Sequence, residues 1–561
     1  MNTLSTSVGG GAADLSGIWD FTFLKTSLDA LKVSKIRFDS SAAVPGCFDF
    51  LPQCRMMRGT GVYRRRVTCG GEMILTSEGL GLRGAFFWDG KKIGSTEFPF
   101  TLEKFRFDAG APGTHELIIA VNNEFDDSPG SLFRRNYDFY AHGGIYRPVS
   151  IAPVRPIELE TLQVIPLDVK KGEVEVTLAL TGKTARLGSA ALRWDDGEYT
   201  DTLKLKNGRG KGVFRVPDPK VWTPETPNLH MVTVKVKEQE FSATFGIRVV
   251  TISKGKLLLN GKVLKIAGTN RHDAHPDFGY AVPDEIRLRD LLMLKQQGFN
   301  CIRGCHYPQS GAFLDMCDRL GMMVWEESLG WGNRGELADP LFRKRQIRQT
   351  EMMVRKSINH PCVIMWGCLN ECASDTPEGR ELVEMLVKTL HKADPSRPVT
   401  FGSNRTLRDI CLDLVDIISF NTYPCWYGGS EEQYFDKEGL YKSLQNLVDF
   451  ASAPEYRNKP FFISEIGAEA IPGNHSGMRW SEEYQAGLLS EAMRYTLESK
   501  RCTGIFLWQF CDIRTYISCN CQSRACGFNR KGMVDGSRNP KPSFREVGKV
   551  IEEFFSKKAA K

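Results

Sequence analysis

What this chain of 561 residues lacks narrows its class first. It has no apolar run of bilayer length; its hydrophobic stretches are short and strand-like, which excludes a helical membrane protein. It has little excess of either charge. Lys plus Arg number 74 against 67 Asp plus Glu, and a net of +7 over this length is too mild to mark a nucleic-acid binder. It has no cysteine framework, because its 16 cysteines are scattered through strand-like and helix-like segments instead of being evenly paired. Its first residues, MNTLSTSVGGGAADLSG, contain no apolar core of a secretory leader. Reduced thiols and a cytoplasmic protein are the expectation. At 41% hydrophobic and 25% charged residues, the chain reads as a large soluble globular protein of several domains.

Two rhythms divide the chain. From Leu15 to about Pro153 short strands alternate with turn signals; Ala85–Trp88, Asp89-Gly90 and Lys91–Gly94 predict a hairpin. A second β unit follows to Val250, in which Val174–Leu180 and Met231–Lys237 alternate as half-buried strands do, over a length suited to an immunoglobulin-like sandwich. Beyond Lys254 strands alternate with amphipathic helices. The predicted strands are Val263–Gly268, Cys301–Gly304, Met323–Glu326, Val363–Leu369, Val399–Gly402, Ile417–Asn421, Phe461–Glu465 and Gly504–Gln509. Helices are predicted at Asp284–Gln297, Gly311–Leu320, Glu378–Ala393, Glu482–Ser499 and Ser543–Phe555, with Gly298 and Gly321 as stops. Strands alternating with helices in this way argue for a (β/α)₈ barrel. The expected domains are 1–153, a β module; 154–250, a β-sandwich; and 251–561, a catalytic TIM barrel.

In such a barrel the chemistry gathers where the strands end. Those ends carry Asn270-Arg271-His272-Asp273, His306-Tyr307-Pro308, Asn370-Glu371, Asn421 with Tyr423, Glu465, and Trp508 with Asp512. Glu371 in VIMWGCLNE and Glu465 in PFFISE each close a nearly continuous apolar strand. A glycosidase needs such a pair, one carboxyl kept protonated and one ionised. A structural ion pair accounts for either alone, but less well for both in this company.

The ordered segments GTNRHDAHP, RGCHYP, WGCLNE, FNTYP and FISEIGAE resemble glycoside hydrolase family 2, with its β-galactosidases, β-glucuronidases and β-mannosidases. RRNYDFYAHGGIYRPVSI resembles the end of that family's N-terminal jelly roll, and VWTPETPNLH with FGIRVV its sandwich domain, so the likeness covers nearly the whole chain. It implies a retaining double displacement with Glu371 as acid/base and Glu465 as nucleophile, Asn370 on the sugar 2-hydroxyl and Tyr423 supporting the nucleophile. It also implies that Asp138 reads sugar hydroxyls; Arg271, His272, His306, Asn421 and Trp508 are expected substrate contacts from their places at the strand ends, and neither cofactor nor metal is expected. FNRKG after the last strand is similar to the Asn-x-Lys element by which β-glucuronidases bind a carboxylate, which assigns Asn529 and Lys531 to a uronic acid, with Arg524 adding positive field. The segment NRHDAHPDFGYAVPDE instead looks like a β-galactosidase, so β-galacturonide and β-glucuronide are weighed equally. A β-galactosidase and a non-catalytic carbohydrate-binding protein are the alternatives. The short segment between Ser328 and Arg345 implies an open mouth suited to oligosaccharide ends. Partners are expected to be carbohydrate, with neither nucleic acid nor membrane; family members often form homo-oligomers, though no interface is legible.

Other signals stay unassigned. Cys511, Cys519, Cys521 and Cys526 fit no zinc spacing, and Arg64-Arg65-Arg66 reads as a solvated strand edge. His272 and His306 suit sugar hydroxyls better than a metal.

Overall fold

A computed structural model of the chain describes residues 5–8, 11–427, 433–516 and 524–559. It forms two compact units, Met1–Pro156 with Asp273–Pro283, and Ile157–His272 with Asp284–Lys561.

The first unit is a β-sandwich of the jelly-roll kind. One sheet contains Gly17–Leu24, Thr60–Cys69, Gly113–Asn122 and Arg83–Trp88; the other contains Glu72–Ser77, Glu103–Asp108 and Val149–Pro153. Their inner faces bury Trp19, Phe21, Tyr63, Leu75, Phe86, Ile119 and Ile151. Alternation along each strand supplies that apolar face. The Asp89-Gly90 hairpin forms with φ of 45° and 78°, the two positive values that a type I′ turn demands. Arg64-Arg65-Arg66 is not an edge. Its strand pairs with Gly17–Leu24 on one side and Gly113–Asn122 on the other. Arg64 is accordingly bonded to Asp20 at 2.8 Å, and Arg65 is buried and donates to the Ile18 carbonyl. Tyr280 belongs to this unit through Asp273–Pro283, and its hydroxyl donates to the Tyr140 carbonyl at 2.5 Å.

The second unit opens with a three-stranded and a four-stranded antiparallel sheet spanning Ile157–Phe245, closed over Val176, Leu178, Leu192, Trp194, Val232 and Val234. A small antiparallel sheet, Val250–Ser253, Lys256–Leu259 and Lys262–Val263, then leads into the barrel. This corrects the first predicted strand. Lys262–Val263 pair in that small sheet, and the barrel strand begins at Ile266.

The barrel strands are β1 (Ile266–Arg271), β2 (Cys301–Gly304), β3 (Met323–Glu327), β4 (Val363–Asn370), β5 (Val399–Gly402), β6 (Ile418–Asn421), β7 (Phe461–Ile466) and β8 (Gly504–Leu507). They form one parallel sheet, with β1 between β2 and β8. The ring closes from β5 to β6 through a parallel bridge, Ser403 with Phe420. Around it lie α1 (Asp284–Gln296), α2 (Gly311–Leu320), α3 (Pro340–Ser357), α4 (Pro377–Ala393), α5 (Lys437–Ala451), α6 (Glu482–Glu498) and α7 (Pro542–Ala559). The connection after β5 carries only a 3₁₀ turn, Thr406–Arg408, because Asp409 folds it tightly by accepting hydrogen bonds from Ser374, Ser403 and the Cys411 amide. Local chemistry sets the helix ends. Thr376 caps α4 by accepting from the Gly379 amide, Pro377 starts it, and Leu382, Leu386 and Leu390 line its buried face. Gly321 ends α2 in the left-handed conformation. No helix among the described residues is long and apolar enough to cross a membrane.

Candidate active site

Neighbouring residues of a barrel strand face opposite ways, one into the barrel and the next toward the helices. In β1 this rule separates Asn270 from Arg271. Asn270 donates to the carbonyls of Ser464 and Leu507 at 2.9 and 3.1 Å. Arg271 turns outward, donating to Asp290 of α1 at 2.9 Å with its guanidinium over Phe313 of α2. Arg271 is therefore part of the strand–helix layer, and its expected sugar contact is corrected.

Arg303, on β2, organises the interior and was not singled out from the sequence. Its Nε donates to Glu327 at 2.7 Å, Nη1 to Asn270 at 3.0 Å and to Glu465 at 2.7 Å, and Nη2 to Asn370 at 2.7 Å. One fully buried guanidinium thus joins the ends of β1, β3, β4 and β7. The missing Cβ of Gly402 makes room for this cluster. A methyl there would lie 2.5 Å from Asn370 Oδ1 and 2.9 Å from Arg303 Nη2.

The two carboxyls meet in this network. Glu465 accepts from Arg303 on Oε1 and from the Tyr423 hydroxyl on Oε2 at 2.6 Å. Burial raises its pKa, while Arg303 and Tyr423 oppose the rise. Glu371 follows β4 in a left-handed conformation, φ 52°, and accepts from Asn421 Nδ2 at 2.9 Å. Burial, then the nearby Glu465, push its carboxyl up to about 8. Asn370 accepts from Arg303 and Asn421 on Oδ1, while its buried Nδ2 has no partner among the described residues. A buried amide donor in that state is ready for a ligand hydroxyl.

His306 contacts Glu327 at 3.0 Å and stacks on Trp508 with centroids 5.4 Å apart; His272 meets both rings edge-on at 5.6 Å. Burial first, then Arg303 and, for His272, His306 beside it, hold both imidazoles well below their ordinary range. They are neutral at neutral pH. Burial raises the pKa of Glu327 to about 7 even with Arg303 opposing it. His272, His306 and the Cys305 thiol could bring ligand atoms within 4.8 Å of one another. Burial pushes that thiol well above its usual range.

The segment after β8 builds a second polar corner. Ile513–Arg514 pairs with Phe528–Asn529, and the Asn529 side chain accepts from the Lys531 amide at 3.2 Å. That bond links Asn529 to the backbone of the residue two positions on. Lys531 Nζ donates to Tyr427 Oη at 2.9 Å and to Glu469 at 3.2 Å, and lies 5.8 Å from the centre of the Tyr423 ring. Arg524 pairs with the same Glu469, and both cations are only 1% exposed. Asp512 fixes the loop by accepting from the Gly532 amide and from Lys541, both at 2.9 Å.

The match to known families decides what kind of protein this is. The description "Glycosyl hydrolases family 2, TIM barrel domain" covers residues 250–555, and "Glycosyl hydrolases family 2" covers residues 158–248. The chain belongs to glycosyl hydrolase family 2. It is a glycosidase, acting on carbohydrate. The β-glucuronidase of Sus scrofa is 30% identical over 464 residues, covering 76% of this chain and 69% of that one. The β-glucuronidase of Homo sapiens is 30% identical over 473 residues, covering 77% and 70%. Among solved structures, a family 2 β-galacturonidase from Eisenbergiella tayi bound to galacturonate superposes with a TM-score of 0.87 at 30% identity, covering 99% of both chains.

Asp138 is buried in the first unit, between the Gly113–Asn122 and Gly144–Ile145 strands. Trp426 is buried edge-on against Trp480 at 5.1 Å, and Lys531 Nζ lies 5.6 Å from the centre of its ring. Cys519 and Cys521 lie outside the described residues, while Cys511 is buried and Cys526 exposed. Arg303, Glu327, Tyr427 and Glu469 are what sequence reading left unnamed. Each stands inside or beside a recognised segment, but residue type alone does not separate an interior Arg303 from an outward Arg271.

Proposed function

We propose that this glycosidase removes a terminal β-linked hexuronic acid with retention of configuration. Glu465 attacks the anomeric carbon and forms a glycosyl ester as Glu371 donates its proton to the leaving oxygen. Its raised pKa keeps Glu371 protonated at neutral pH. Esterification removes the negative charge of Glu465, which lowers the Glu371 pKa and lets it act as base toward water. Arg303 and Tyr423 each hold one oxygen of Glu465 and stabilise its charged form in a buried setting. Asn370 Nδ2 is the donor for the 2-hydroxyl, and neutral His272 and His306 serve hydroxyls beside it. Asn421 orients Glu371.

The observation that carries the uronide reading is the position of Lys531. Its ammonium lies 5.8 Å from the centre of the ring whose hydroxyl bonds Glu465. A buried cation beside the tyrosine that holds the reacting carboxylate suits a substrate that carries its own carboxylate, with Asn529 and Arg524 framing the same corner. The galacturonidase match over 99% of both chains makes β-galacturonide the epimer to assay first, with β-glucuronide beside it. The short segment after β3 supports an open mouth for oligosaccharide ends.

Chromogenic aryl β-D-galacturonide, β-D-glucuronide and β-D-galactoside, assayed together, test this. Uronides should be turned over fastest, and Lys531→Ala should lower their kcat/KM by roughly ten- to a hundredfold. Faster hydrolysis of the galactoside, or unchanged uronide turnover in that variant, overturns the acid reading. Full activity in Glu465→Gln overturns the nucleophile assignment.

A further inference from the structure

Glu469 is fully buried, carries no role in the reaction just described, and is bound by both cations of the carboxylate corner. Lys531 Nζ is 3.2 Å from its Oε1, and Arg524 pairs with the same oxygen. Its Oε2 accepts from the Arg530 amide at 3.4 Å. An acid placed where a substrate acid must bind needs a reason, because it competes for the same donors.

The covalent path supplies one. Glu469 stands only four residues beyond Glu465, and the intervening segment is held on several sides. The Trp508 amide donates to the Ile466 carbonyl at 2.8 Å, and the Ala470 amide to the Arg530 carbonyl at 3.0 Å. Gln485 Nε2 spans Ala468 and Gly532 with bonds of 2.9 and 3.2 Å. A methyl on Gly467 would sit 2.0 Å from the Trp508 carbonyl, so this stretch has no slack. Lys531, by contrast, is a long side chain with several rotatable bonds, and ordering it on substrate binding would cost affinity.

We propose that Glu469 is a positioning residue that ties Lys531 and Arg524 to the Glu465 segment, so that a substrate carboxylate is bound in register with the carbon that Glu465 attacks. This deepens the uronide reading and rests on it. Glu469 acts through the cations; it touches neither the sugar ring nor the leaving group.

A double-mutant cycle tests this. Glu469→Gln keeps the shape and removes the charge; it should raise KM for the aryl uronide at least about tenfold, with kcat lowered less. In a Lys531→Ala background the same change should add less than about threefold, because of the two cations it acts through only Arg524 remains. Glu469→Asp, which keeps the charge, should restore part of the loss, and its cycle is the one to read where Glu469→Gln does not fold. Wild-type KM in Glu469→Gln, or an equal cost in both backgrounds as a merely structural residue would give, overturns the proposal. If instead the wild-type enzyme prefers the galactoside and Lys531→Ala leaves uronide turnover unchanged, the uronide reading itself has failed. The two failures are thereby distinguished.

Discussion

Glu371 holds its proton in the fold up to about pH 8, whereas an unburied glutamate loses it near 4.5. Between those values folding takes up a proton, so this group's contribution to stability falls as pH rises. Glu327 adds to the same trend up to about 7. Glu371→Gln is therefore expected to be nearly inactive yet to melt a few degrees above the wild type at pH 8, with the gain shrinking toward pH 5; thermal scans at the two pH values check it. In the active enzyme, kcat/KM should fall as pH rises through about 8, because the general acid is lost. Arg303→Lys keeps a charge but cannot span four partners; kcat/KM should drop roughly 10²–10³-fold, measured with the aryl uronide. Glu371 and Glu465 were legible from sequence because each ends a run of apolar residues, and a charged residue there must face a site or a partner. Arg303 was not, since RGCHYP does not reveal how many carboxylates one guanidinium reaches. Arg271 misled for the related reason that a shift of one residue reverses its direction.

At the level of elements, the parallel strands were readable because strands buried on both faces are nearly continuous in apolar residues. The boundary of β1 was not, because Lys262–Val263 could extend a strand equally well in the small preceding sheet. The absent helix after β5 was hidden too, since Asp409 decides that connection through bonds to Ser374 and Ser403, residues distant or unremarkable in sequence. Gly402 shows how an element end is tuned to the site. Gly402→Ala should push Asn370 or Arg303 from its place and lower kcat by at least about tenfold while the protein stays folded; kinetics together with a circular dichroism spectrum check this.

At the level of the molecule, the sandwich and the barrel share one compact unit through buried polar bonds. Arg248 of the sandwich end donates to the Pro361 and Val363 carbonyls at 3.0 and 2.8 Å, and Trp222 donates to the Asp318 carbonyl at 2.9 Å. Arg248→Met should destabilise this unit by ~1–3 kcal/mol, because buried carbonyls lose their donors. Chemical denaturation monitored by tryptophan fluorescence should show a lowered midpoint. The sequence by itself determined the order of β modules and barrel, the eight strands and the two glutamates, because hydrophobic period and strand-end polarity are local properties of the chain. Only the tertiary structure decided that Arg303 binds Glu465, that Arg271 faces a helix, and that Glu469 holds the cations of the carboxylate corner. Those facts depend on which distant strand ends converge and on which face each side chain takes, and no local pattern encodes either.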